Sequence, residues 1–146
     1  MLFQIDPSNG VAIYDQVVRQ MKFAVADGVI REGELAPSVR ELARQLAINP
    51  NTVSRAYNQL QSDGVLETIR GTGLAVKKRA PAKCQKEREH LIARRLDSVL
   101  SEACHSGLSV DAIRSLVEQS LQKVAANDQS ASPQASNESI SNEAQS

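Results

Sequence analysis

Two helix-start signals lie close together in this chain, and no other feature limits its fold as strongly. Ser38-Val39-Arg40-Glu41 matches the S-x-x-E capping box, in which the serine side chain and the glutamate satisfy each other's backbone N–H groups. Asn49-Pro50, an N-cap residue ahead of a proline suited to the first helical position, follows only eleven residues after Ser38. The first helix is therefore confined to about 38–47, with Leu42, Ala43 and Leu46 as its buried face. Ala47-Ile48 alone separates it from the second. In that second helix Val53, Ala56, Tyr57 and Leu60 recur at spacings of three, one and three, which is one stripe, and Gly64 ends it.

The flanks complete a pattern. Over 12–27, Tyr14, Val17, Val18, Met21, Ala24 and Val25 form another helical stripe, closed by Gly28. After Gly64, the β-prone runs 65–69 and 74–76 flank the tight turn Arg70-Gly71-Thr72-Gly73, which reads as a two-stranded hairpin. Helix, helix, short turn, helix, hairpin is the order of a winged helix-turn-helix. The expected fold is mainly α with a small β-hairpin: an N-terminal winged helix-turn-helix over 1–79, then a two-helix C-terminal hairpin.

That architecture gives the second start signal a chemical meaning. The second helix of such a pair enters the major groove of double-stranded DNA with its N-terminal residues toward the base edges. Asn51, Thr52 and Arg55 occupy polar positions there. Asn and Arg side chains can bond adenine and guanine edges in pairs, and Thr can bond a base or a phosphate. The first turn's N–H groups and dipole also favour a phosphate. Arg40 is placed for the DNA backbone or groove edge, and Arg70 with Gly71, Thr72 and Gly73 for a wing along the adjacent minor groove. Ser38 and Asn49 read as caps, and Arg44 and Lys22 as solvated face.

The run PSVRELARQLAINPNTVSRAYNQLQSDGVLETIRGTG, with IYDQVVRQMKFAVADG ahead of it, closely resembles the DNA-binding domain of the GntR superfamily of bacterial regulators, and in particular its YtrA-type subfamily. The resemblance covers about 11–78 and implies a winged helix that binds a palindromic operator as a dimer, most often as a repressor. Carried over by position, it assigns DNA contact to Arg40, to Asn51-Thr52 with Arg55 one turn later, and to the wing glycines Gly71 and Gly73. Two positions depart from the usual pattern. Ala36 stands directly ahead of Pro37-Ser38 where Leu is usual, with Leu35 one place earlier, and Thr72 stands between the wing glycines where a second Arg is common.

Beyond the break at Ala80-Pro81-Ala82, Ile92, Leu96, Val99 and Ala103, flanked by Leu91 and Leu100, mark a helix over about 85–105 that Gly107 stops. Ser109 caps another, with Ile113, Leu116, Val117, Leu121 and Val124 on one face. Two such helices cannot hide both stripes alone, so 80–126 reads as a dimerisation appendage whose partner is a second copy of the chain. Residues 127–146, rich in Ser, Asn and Gln with Ile140 the one large aliphatic, read as disordered.

Charge and composition bound what else the chain does. Net charge is zero, but 1–79 carries ten Lys and Arg against eight Asp and Glu, and 127–146 carries three acids and no base. A net +2 on the domain is weak support for nucleic acid, so the placement of the charges carries that expectation. No apolar run reaches the ~18 residues of a membrane span, and the N-terminus lacks a signal-peptide pattern, so a cytoplasmic, membrane-free protein is expected. Cys84, His90, Cys104 and His105 are spaced wrongly for one ion, and there is no P-loop, G-x-S-x-G or carboxylate-pair pocket. A non-enzyme without cofactor or metal is expected, with a small-molecule effector left open. The alternatives are a winged-helix protein-interaction module, and a thiol- or metal-responsive sensor.

Overall fold

Both start signals are realised as local structure. The Ser38 Oγ accepts from the Glu41 N–H at 3.1 Å and the Glu41 carboxylate accepts from the Ser38 N–H at 3.3 Å, which opens a helix over Val39–Leu46. The Asn49 Oδ1 accepts from the Asn51 N–H at 2.9 Å, with Pro50 first in the helix Pro50–Ser62. Between them Ala47 takes the left-handed conformation at φ 54°, a geometry that costs a residue with a Cβ about 1 kcal/mol. The computed structural model describes residues 3–131. The chain forms two units, one running to Leu96 and the other starting at Asp97.

In chain order the elements are α1 (Ile13–Ala26), α2 (Val39–Leu46), α3 (Pro50–Ser62), β1 (Leu66–Ile69), β2 (Gly73–Val76), α4 (Ala80–His105) and α5 (Val110–Ala131). The strands pair antiparallel from Leu66 opposite Val76 to Ile69 opposite Gly73. The segment before α2 adds to this hairpin: the Gly33 N–H donates to the Val76 carbonyl and the Ala36 N–H to the Leu74 carbonyl, at 2.9 and 2.8 Å, with a bridge between Leu35 and Ala75. Ala36 packs against the core, whereas Leu35 projects outward, half exposed.

The core joins Val17, Met21 and Val25 of α1, Leu42 of α2, Val53 and Leu60 of α3, and Val65, Leu66 and Val76 at the root of the hairpin. Burying each of the larger side chains contributes about 2 kcal/mol. Phe3 is also buried in this core, so the segment from residue 3 to α1 is part of the fold. The Gln16 amide holds that segment: its Oε1 accepts from the Asp6 N–H, and its Nε2 donates to the carbonyls of Asp6 and Val11 and to Asn9 Oδ1, all within 2.7–3.0 Å.

Three expectations are corrected. The break at 80–82 is instead the first turn of α4, since a proline there removes an N–H that needs no partner, and left-handed Arg79 makes the reversal out of β2. Ala80 and Cys84 then bury themselves in the core, so the first unit extends past 79. Secondly, α5 runs to Ala131, five residues into the segment expected to be disordered. Extending an existing helix costs far less than starting one, so polar residues following Val124 can continue it. Residues 132–146 lie outside the described part of the chain. Thirdly, Lys22 is not solvated face. It is 5% exposed, and its Nζ meets Asp63 Oδ2 and Glu87 Oε1 at 2.9 Å each. One ammonium thus ties α1 to the residue that caps α3 and to α4.

Burial works against the Lys22 charge, but Glu87 and Asp63 outweigh it and hold its pKa above the ordinary 10.5. Burial also works against the Asp63 carboxylate, but Lys22 and Gln59 outweigh it and hold it below 3.8. Removing one partner of such a cluster strands the others. Asp63 and Glu87 keep some solvent, so the cost falls below that of a fully buried pair. Lys22→Met is expected to lower the unfolding free energy by about 2–3 kcal/mol in urea titration. The pH profile of the parent follows from the two directions. The Lys22 contribution is complete below 10.5 and is lost as pH climbs through its raised folded value, whereas the Asp63 contribution is complete above 3.8 and is lost as pH falls through its lowered one. Melting curves of Lys22→Met should show both flanks of that profile reduced, with Gln59 still bonded to Asp63 and the buried Cys84 thiol still titrating at alkaline pH.

Candidate nucleic-acid interface

The face of α3 opposite the core is set by helical geometry. Val53, Ala56, Tyr57 and Leu60 are buried, and Asn51, Arg55 and Asn58 are exposed. At about 100° per residue these three lie within one outward stripe. Thr52 stands at the edge of that stripe, partly buried. Asn58 was not among the expected contacts. Its spacing of three from Arg55 was the available signal.

The N-terminal turn of α3 is less open to an anion than the sequence suggests. Pro50 has no N–H. The Asn51 N–H is taken by the Asn49 side chain, and those of Thr52 and Val53 reach the Asn49 carbonyl at 3.0 and 3.4 Å. A phosphate would find no unused backbone donor in this turn. What α3 offers is side chains.

Those side chains are held in place from behind. The buried Tyr57 hydroxyl donates to the Pro37 carbonyl at 2.6 Å, locking α3 against the start of α2. Burial, with Glu41 nearby, pushes its ionisation well above the ordinary range, so it remains a donor. Arg40 is exposed in the first turn of α2. At the wing, Arg70, Gly71 and Thr72 form the exposed loop between β1 and β2, closed by the Thr72 N–H donating to the Ile69 carbonyl at 3.0 Å. Gly71 has φ +77° and nothing within 4 Å of where a Cβ would be. The backbone conformation, not crowding, calls for glycine there. Gly73 opens β2 at φ +139°. Thr72 lines an open groove together with Ser38, Glu41 and Gln45, so the wing tip and α2 share one surface.

Arg55 has a partner that the sequence did not suggest. Its guanidinium carbon lies over the Tyr14 ring of α1, 4.8 Å from the centroid. The Tyr14 hydroxyl in turn donates to Gln59 Oε1 at 3.0 Å, and Gln59 Nε2 donates to Asp63 Oδ1 at 2.9 Å. Tyr14 was expected only as part of the apolar stripe of α1; it is partly buried, with its ring against the core and its hydroxyl toward α3.

The thiols occupy contrasting surroundings. Cys84 is buried, and burial, with Glu87 nearby, pushes its thiol up to about 11, away from the reactive thiolate. Cys104 is exposed. Among the described residues no three His, Cys, Asp or Glu side chains gather as a metal site, and no helix is long and apolar enough to cross a membrane.

Residues 13–76 match the profile of the family described as bacterial regulatory proteins, gntR family. The HTH-type transcriptional repressor YtrA of Bacillus subtilis (strain 168) is 33% identical over 118 residues, which is 81% of this chain and 91% of that protein. Among solved structures, a GntR family transcriptional regulator from Listeria monocytogenes superposes with a TM-score of 0.60 at 31% identity, covering 79% of this chain and 98% of that one. YtrA from Sulfolobus acidocaldarius, a GntR-family transcription factor, superposes with a TM-score of 0.52 at 30% identity, covering 66% of this chain and 99% of that one. A two-helix pair with a hairpin wing, an exposed polar stripe on the second helix and these likenesses agree, and the chain belongs to the GntR family as a DNA-binding transcriptional regulator of the YtrA type, not an enzyme.

Proposed function

We propose that this regulator acts in the cytoplasm as a repressor that occupies a palindromic operator as a homodimer. The observation that carries the reading is the outward stripe of α3, polar and uncharged apart from Arg55, on a helix whose other face is fully committed to the core. Asn51, Thr52 and Arg55 read base edges in the major groove, where Arg suits guanine and Asn suits adenine. Arg40 meets the DNA backbone, which fixes register without carrying sequence information directly. Arg70 and the Gly71-Thr72-Gly73 tip lie along the neighbouring minor groove, with Thr72 in place of a second arginine. Repression accords with the Bacillus relative's being a transcriptional repressor.

Support for the homodimer comes from the second unit. Val99, Val110, Leu116, Leu121 and Val124 are all at least half exposed. Leaving so many large apolar side chains in water is unfavourable by tens of calories per mole for each Å². A second copy of the chain covers them and also supplies the two-fold symmetry of a palindrome. Half-sites are then read about one DNA turn, or a multiple of it, apart.

Two outcomes are expected. Against the duplex that the full chain enriches from a random-sequence pool, Asn51→Ala or Arg55→Ala should lose about 1–3 kcal/mol and relax preference at particular base pairs. Arg40→Ala should weaken enriched and random duplexes alike. Equal binding by all three variants and the parent, in gel-shift titration, refutes the groove assignment. In sedimentation, the parent should be a dimer at micromolar concentration, and the double variant Leu116→Asp with Leu121→Asp a folded monomer of much weaker operator affinity, because each reading head must then bind independently. Removing everything after Leu96, which spares Ala80, Cys84 and Glu87, should do the same. A monomeric parent defeats the dimer.

A further inference from the structure

The proposed reading of α3 leaves one close contact unexplained, the Arg55 guanidinium over the Tyr14 ring. We infer that Tyr14 is a positioning residue for specificity: its ring holds Arg55 ready to meet a base edge and remains under it in the complex. This rests on Arg55 reading a base.

Arginine is a long side chain, and ordering it costs about 2 kcal/mol of rotamer entropy at the moment of binding. A guanidinium held over an aromatic ring is already ordered. Its five N–H donors fan out in the guanidinium plane, so those turned away from the ring stay available to a guanine. The two interactions use different parts of one group and do not compete. Tyr14 is itself fixed at both ends. Its ring packs against the core and its hydroxyl donates to Gln59 Oε1 at 3.0 Å. Gln59 is in turn held by Asp63 at 2.9 Å, so the platform under Arg55 is built from α1 and the far end of α3. Arg55 itself is exposed. No ion pair with Arg55 is found among the described residues, which leaves the ring as the group that restrains it.

A test compares full-length variants on two probes, the duplex enriched from a random pool by the parent and a scrambled duplex of equal length. Tyr14→Leu should cut the preference for the enriched duplex by about two- to fivefold, the range of an exposed cation–π contact. Tyr14→Phe, which keeps the ring and loses only the hydroxyl, should restore most of it. In an Arg55→Ala background Tyr14→Leu should have no further effect on preference. Tyr14→Met replaces Tyr14→Leu if the latter does not fold. Tyr14→Leu binding with parental or greater preference overturns the inference, and so does an equal loss on both probes, which would mean support of the fold alone. If Tyr14→Leu keeps its full effect without Arg55, the inference is also overturned. If Arg55→Ala leaves preference unchanged, the base-reading role of Arg55 fails first, and the positioning role of Tyr14 falls with it. If Arg55→Ala loses preference while Tyr14→Leu does not, only the positioning role fails.

Discussion

The structure of the first unit turns on one charge placed where charges are rarely found. Lys22 is surrounded by the core of α1, and its ammonium is satisfied by two carboxylates that come from different elements. A buried ammonium without partners would be costly enough to lose its proton. Asp63 and Glu87 therefore have to be where they are once Lys22 is where it is. This fixes the end of α3 and the start of α4 together. Lys83 adds a bond to the Asp63 carbonyl, so that corner is held by backbone as well as side-chain acceptors. Net stabilisation by such a cluster over an apolar one is not the point, since burying charges often costs as much as it returns. What the cluster supplies is a link between α1, the end of α3 and the start of α4.

Much of the fold was legible because it rests on short-range rules. The capping box at Ser38 and Glu41, the Asn49-Pro50 start and the stripe Val53, Ala56, Tyr57, Leu60 each announce themselves within one or two helical turns, and each appears in the structure as expected. The hairpin follows from two β-prone runs around a glycine turn. What escaped is of longer range. Lys22 lies beside Met21 on the α1 stripe, and nothing within a turn of it says that a carboxylate 65 residues on will neutralise it. The joining of Phe3 to the core has the same character. Pro81 misleads for the opposite reason. It is a local breaker signal that points to a boundary, although a proline in a first helical turn breaks nothing.

The candidate interface shows the same division. Asn51 and Arg55 could be placed on the outer face of α3 from periodicity alone, and there they are. The availability of backbone donors at the start of that helix could not, because it depends on the Asn49 side chain and carbonyl, which consume them. The helix therefore presents a side-chain surface at its N-terminal end, with Asn51 and Arg55 exposed on it. The contact between Arg55 and Tyr14 joins residues distant in sequence, and only packing brings them together.

Gln16 performs a task usually given to a neighbouring strand. The backbone of residues 6–11 belongs to no helix or sheet, yet its polar groups meet partners, because one primary amide presents an acceptor to the Asp6 N–H and a donor to the Asp6 and Val11 carbonyls, while Asn9 Oδ1 bridges that amide and the Val11 N–H. A strand distributes such a duty over many peptide units and frays one bond at a time. One amide concentrates much of it here, with Arg95 donating to the Asn9 carbonyl and Gln20 bonding the Gln4 backbone beside it. Loss of the Gln16 side chain would free several backbone groups at one stroke, in the segment that leads from the Phe3 anchor to α1.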